Sequence, residues 1–149
     1  MIQRKQTIFL LLALIATVVC LLSRIGHFEP VGMGTDAIMY NMYVRGAKEG
    51  MMVFPLMVVL LLTCPLILWA VFAYKNRKFQ ARLCLWTAFL DVVWYALYAV
   101  YGYVIGMENT TFHIEQPVIL PFLSIIMLLL ARRGILADER LVRAADRIR

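Results

Sequence analysis

Charge is what this sequence has least of. Only 16% of its residues are Asp, Glu, Lys or Arg, against 63% hydrophobic, and the mean hydropathy is +0.80. A soluble domain averages about 25% charged and about 45–50% apolar, so a water-facing globule is excluded in favour of a chain dissolved in lipid. Acids are scarcer than bases, 9 against 15, which gives a net charge of +6. In a membrane protein basic residues chiefly set orientation, so that surplus is read by position. There are 3 cysteines, Cys20, Cys64 and Cys84, each in or beside an apolar run and without paired spacing. That excludes a disulfide framework or a zinc knuckle and leaves buried, inert thiols. None of G-x-S-x-G, H-E-x-x-H, the P-loop or G-x-G-x-x-G occurs, and no repeat divides the chain. The expectation is a protein without catalytic residues, cofactor or metal centre, and without nucleic acid as a partner.

What is present is four long apolar segments, at about residues 7–23, 51–74, 83–107 and 114–131. About 20 helical residues cross a hydrocarbon core of roughly 30 Å. The second and third segments are long enough to cross with tilt; the first and fourth borrow flanking residues. The expected fold is therefore all-α: a four-helix transmembrane bundle in one domain, residues 1–149. An outer loop, 24–50, forms an extracytoplasmic cap, with a short hairpin in "AIMYNMYV". A cytoplasmic tail, 132–149, forms an amphipathic helix.

Orientation follows the bases. Arg4 and Lys5 precede the first segment, Lys75, Arg77, Lys78 and Arg82 lie between the second and third, and six arginines follow Ala131. The other two connections hold only Arg24, Arg45 and Lys48, against Glu29, Asp36, Glu49, Glu108 and Glu115. The positive-inside rule places both termini in the cytoplasm. Residues 7–23 are expected to stay as a helix rather than be cleaved, because no A-x-A-like site follows them.

One acid interrupts the apolar runs: Asp91, in "FLDVVWYALYAVYGY". At about 100° per residue, Cys84, Thr87, Ala88, Asp91, Tyr95, Tyr98 and Gly102 share one face. Trp86, Phe89, Val93, Leu97, Val100 and Val104 share the other, expected to meet lipid. A charged acid at the bilayer centre costs about 2.5–3.5 kcal/mol on insertion scales, and no base lies within a segment to pair with it. Asp91 is expected to be uncharged or held by hydroxyl donors: Tyr95 one turn on, and Thr17, Thr63 and Ser124 at similar depth on the other helices. Pro65 is expected to kink the second helix at this level. The group reads either as a hydrogen-bonded node that fixes helix register, as a proton or ion site, or as a docking point for another subunit.

Weaker candidates lie at the ends. His27, Met33, Met39, Met42, Met107 and His113 offer soft ligands on the outer side, though Met also fills gaps in apolar packing. Asn109-Thr110-Thr111 fits the glycosylation pattern, and Glu108, His113 and Glu115 offer acid–base groups at a helix entrance. In the tail, read as helical after Gly134, Ala137, Leu141, Ala145 and Ile148 form a narrow apolar stripe. Glu139 and Arg143 make an i,i+4 pair, and Arg140, Arg143 and Arg147 form a ridge suited to anionic lipid headgroups or a partner.

"MIQRKQTIFLLLALIA", "AYKNRKFQARLC" and "DERLVRAADRIR" resemble a family of small four-span bacterial inner-membrane proteins defined only as a domain of unknown function. The resemblance covers essentially the whole chain. It implies a multi-pass protein of the bacterial cytoplasmic membrane and carries over no catalytic residue. Together these features point to an accessory or scaffold subunit that works by contact with lipid, with another membrane protein or with copies of itself. The alternatives are a small proton-coupled carrier or channel using Asp91, and a metal handler using the outer His and Met residues.

Overall fold

Each uncharged run folds as a helix, because in an apolar surrounding a backbone must satisfy its own polar groups. The computed structural model describes residues 2–30, 32, 35–46, 52–74, 76–106 and 110–146. In chain order these form α1 (Ile2–Leu22), β1 (Arg24–Pro30), β2 (Ala37–Tyr40), β3 (Val44–Arg45), α2 (Phe54–Phe72), α3 (Arg77–Gly106), β4 (Thr110–Ile114), a 3₁₀ turn (Gln116–Val118) and α4 (Ile119–Asp146). The helices close a ring: α1 packs on α2 and α4, and α3 on the same two.

Buried positions recur every three or four residues. On α1 they are Gln6, Leu10, Ala13, Ala16, Thr17 and Cys20; on α2, Leu56, Leu60, Thr63, Ile67 and Ala70. The outward faces are also apolar: Leu62, Trp69, Trp86, Phe89, Ile119 and Phe122 are exposed. A helix apolar all round needs lipid or more protein outside it. The stretches Phe54–Phe72, Arg77–Ile105 and Gln116–Ala144 are long and apolar enough to cross a membrane, while the apolar part of α1, Gln6–Leu22, is shorter.

The all-α expectation is corrected by an antiparallel sheet in the order β3-β2-β1-β4. The outer loop supplies β1 to β3, and the second connection supplies β4, which pairs with β1 from Gly26↔Ile114 to Pro30↔Thr110. Read as the entrance to a helix, "TTFHI" instead completes the sheet, because its β-branched and aromatic residues suit a pleated surface and β1 offers an open edge. α4 accordingly begins at Ile119, not near Ile114. The sheet is seated by Phe112, whose ring stacks on Phe28 and leans on Tyr98, at centroid distances of 4.7 and 5.7 Å. Gly26 and Gly102 make the slot: a Cβ there would approach that ring to 2.6 and 2.9 Å.

Two further expectations are corrected at the opposite end. The basic connection is largely helix, since Asn76 Oδ1 accepts the N–H of Phe79 (3.4 Å) and caps α3 one residue before Arg77. Nor does a separate tail helix start after Gly134; α4 continues unbroken through it to Asp146. Ala131, Ile135 and Asp138 face inward there, whereas Leu141 of the expected apolar stripe is exposed. The continuation carries a ladder of buried contacts, with the Gly134 Cα against the Gln6 side chain. α2 passes through Pro65 without ending.

Candidate functional site

Asp91 lies near the middle of α3 with 0% of its surface exposed. Among the described residues no donor forms a hydrogen bond with either carboxyl oxygen. All four helices bring polar groups to its level. Cys20 of α1, Cys64 of α2 and Tyr95 of α3 are within electrostatic reach. The Ser124 hydroxyl of α4 interacts with the carboxyl without meeting hydrogen-bond geometry.

Of the hydroxyls expected to hold the acid, Thr17, Thr63 and Ser124 are buried and Tyr95 is part-buried, and all but Ser124 donate elsewhere. Thr17 donates to Ala13 O (2.9 Å) and to Ser124 Oγ (3.3 Å), a link between α1 and α4. Thr63 donates to Leu60 O (2.7 Å) and Thr87 to Leu83 O (2.7 Å), each on its own helix. Such back-bonding is the cheapest use of a hydroxyl in a dry helix, and it removes these donors from the carboxyl. Tyr95, expected beside Asp91, instead donates to Val118 O (2.5 Å) and accepts from Phe122 N (3.0 Å), which secures the start of α4. Tyr98 donates to Ile25 O (2.8 Å) in the sheet.

Two residues not singled out from the sequence sit on the sheet side of Asp91. Trp94 is fully buried and stacks flat on Tyr98, with centroids 5.3 Å apart. Its Nε1 donates to Asn41 Oδ1 (3.0 Å). Asn41, in the turn between β2 and β3, donates through Nδ2 to Cys20 O (2.8 Å), a carbonyl in the last turn of α1 that also accepts the Ser23 N–H (3.2 Å). The signal for Asn41 was a lone amide inside "AIMYNMYV"; for Trp94 it was the i+3 position after the acid.

A second buried polar cluster closes the opposite end. Gln6 Nε2 donates to Asp138 Oδ2 (2.6 Å), Arg77 Nη1 to Asp138 O (3.1 Å), and Gln80 Nε2 to Ala70 O (2.9 Å). Gln6 and Asp138 were legible as members of their helices' buried stripes, four residues before Leu10 and three after Ile135. Beside them, Arg143 donates to Glu139 (2.5 Å), the expected i,i+4 pair, and Lys78 Nζ lies 3.9 Å from the same acid. Arg140 is exposed, and Arg147 lies outside the described residues.

Of the outer ligand set, His27 and His113 stand opposite each other across β1 and β4, each near one oxygen of Glu29, at 3.5 and 3.6 Å. Met39 is fully buried and Met42 exposed, while Met33, Met107, Glu108 and Asn109 lie outside the described residues. No three His, Cys, Asp or Glu side chains among the described residues are arranged to hold a metal ion. Cys20, Cys64 and Cys84 are free thiols.

No curated protein matches the chain significantly. A family model does: the domain of unknown function DUF4293 matches residues 2–148. With an apolar helical ring, a sheet at one end and nearly the full length matched, the chain belongs to that family.

Proposed function

We propose that this is a small, non-enzymatic, proton-coupled carrier or channel that binds and releases a proton at Asp91. It crosses the bacterial inner membrane four times, with both termini in the cytoplasm and the sheet outside. The distribution of bases supports that orientation: Arg77, Lys78 and Arg82 lie at one end of the ring, Glu29 and Asp36 at the other.

The single observation that carries the reading is the carboxyl of Asp91, fully buried with neither oxygen hydrogen-bonded among the described residues. A register-fixing node would be satisfied by its neighbours; here Thr17, Thr63 and Thr87 bond to their own helices, and Ser124 stands near the carboxyl without hydrogen-bond geometry. A buried polar group without a partner costs about 1–3 kcal/mol, and intramembrane acids of this kind mark ion and proton paths. The chemistry is the making and breaking of one O–H bond.

Infrared difference spectra of the protein in liposomes, taken as bulk pH is stepped, test this. The expected result is a carboxylic-acid carbonyl band that responds to pH and is absent in Asp91→Asn, together with proton flux that the same substitution abolishes while the melting temperature holds. A carboxyl band that ignores bulk pH would sink the reading.

One observation favours the accessory-subunit reading. Leu85, Trp86, Phe89, Val92, Ile125 and Leu129 line an outward-open apolar groove of about 580 Å³ along α3 and α4, with room for a few apolar side chains of a membrane partner. Purification in mild detergent that yields only the bare monomer counts against it.

A further inference from the structure

An outward-open cleft of about 830 Å³ lies between α3 and the turn that leads into α4. Ile114, Val118, Ile119 and Phe122 give it an apolar lining, and Tyr95 lines it from α3. Tyr95 follows Asp91 by one turn, roughly 6 Å closer to the sheet. The cleft therefore sits where the apolar ring meets the sheet, and Ile114, Ile119 and Phe122 of its lining are exposed. A binding site of this kind is mostly apolar, and its few polar groups choose the ligand.

Here the charge is of one sign. Glu115 is the one acid in the lining and is half-buried, and no Lys, Arg or His joins it. Among the described residues Glu115 takes part in no ion pair. It lies within electrostatic reach of Tyr98 of α3. A helix start commonly attracts an anion, because its first N–H groups are free. At this one they are engaged or missing. Pro117 and Pro121 have none, Val118 N–H goes to Glu115 O (3.2 Å), Ile119 N–H to Gln116 O, and Phe122 N–H to the Tyr95 hydroxyl (3.0 Å). An anion would meet a carboxylate and few donors. A cation with an apolar body meets the reverse: aliphatic side chains for the body, and aromatic faces with a carboxylate for the charge.

We infer that this cleft binds an amphipathic organic cation, an ammonium or phosphonium centre carrying apolar groups. As the substrate class of a carrier it rests on the proton reading of Asp91; as a binding site it rests on Glu115 alone.

Tetraphenylphosphonium and tetraphenylborate separate the possibilities, since they share size and shape and differ in the sign of their charge. The full-length protein in neutral detergent is dialysed to equilibrium against each labelled ion, with protein-free micelles as the blank. The expected result is saturable binding of tetraphenylphosphonium at one site per chain and none of tetraphenylborate. Glu115→Gln keeps the side chain's shape and should weaken phosphonium binding about tenfold. That is roughly what a carboxylate about 6 Å from the charge contributes at an effective dielectric constant of about 40. Phe122→Leu removes an aromatic face, keeps an apolar side chain and should weaken binding about threefold. Glu29→Gln, on the sheet and outside the cleft, should change nothing.

Equal uptake of the two ions would describe a groove for lipid acyl chains and overturns the inference. So does full affinity in a folded Glu115→Gln, or an equal loss in Glu29→Gln, which would mean a general attraction of the sheet's acids. The comparison of the two ions needs only the wild-type chain, so a variant that misfolds does not leave the matter open. Binding should persist in Asp91→Asn. Its loss there, with Glu115→Gln unaffected, would put the cation at Asp91 and remove the cleft as its site. An Asp91 that ignores bulk pH would leave saturable phosphonium binding untouched, so failure of the proton reading and failure of the cleft are separate results.

Discussion

Asp138 and Asp91 are both buried acids, at 8% and 0% exposure, yet their surroundings differ completely. Asp138 sits toward the end of α4, where the Gln6 amide donates to its carboxyl at 2.6 Å and Arg77 fastens its backbone carbonyl. Asp91 sits between four helices, three of which turn a hydroxyl back to their own carbonyls, while the fourth brings Ser124 near the carboxyl without hydrogen-bond geometry. The first arrangement joins α1, α3 and α4 and is a sufficient account of why an acid is there. The second leaves the acid without structural employment. In this chain burial alone does not separate the two acids; the lack of a hydrogen-bond partner does, and the proposed proton site rests on that difference.

The largest break in that comparison comes from removing the roof over Asp91. Trp94→Ala empties a fully buried site and strands the Asn41 carbonyl, so a loss of about 3–5 kcal/mol is expected, read as a lower thermal midpoint in detergent. Asp138→Ala should lose about 1.5–3 kcal/mol, the worth of a hydrogen bond to a charged group, and Gln6→Ala should add little once Asp138 is gone. Asp91→Ala should have the opposite sign. Deleting an unsatisfied buried group gains about 1–3 kcal/mol, so this variant should melt later than wild type while losing proton binding. Equal destabilisation by both Asp→Ala changes would erase the distinction.

The helical part of this architecture was legible because apolar runs and basic clusters are long signals. Of the expected stripe, Cys84, Thr87, Ala88, Asp91, Tyr98 and Gly102 are buried as their spacing implied, and Tyr95 is part-buried. The sheet was half legible: "AIMYNMYV" announced strands, but "TTFHI" is five residues whose fate depends on an edge supplied by residues some eighty positions earlier. The site failed in a more instructive way. Spacing places Tyr95 beside Asp91, yet its hydroxyl goes to Val118, because the first turn of α4 has free carbonyls and N–H groups that no pattern in α3 reveals. Hydroxyl direction is a tertiary choice. Residue type and periodicity do not encode it.

Glu139 supplies the smallest effect and the control for both aspartates. It lies one residue beyond Asp138, bonded to Arg143 and near Lys78, but Arg143 is 59% exposed and water screens the pair. Glu139→Gln should therefore cost only about 0.3–0.5 kcal/mol, the usual worth of an i,i+4 ion pair. That loss should vanish in high salt, where the Debye length falls to about 3 Å at 1 M. The Asp138→Ala loss should survive the same salt, because its partner is a neutral amide in a buried site. If both effects faded together, solvent would have to reach Asp138, against the packing of Leu10, Ala13 and Ile135 beside it.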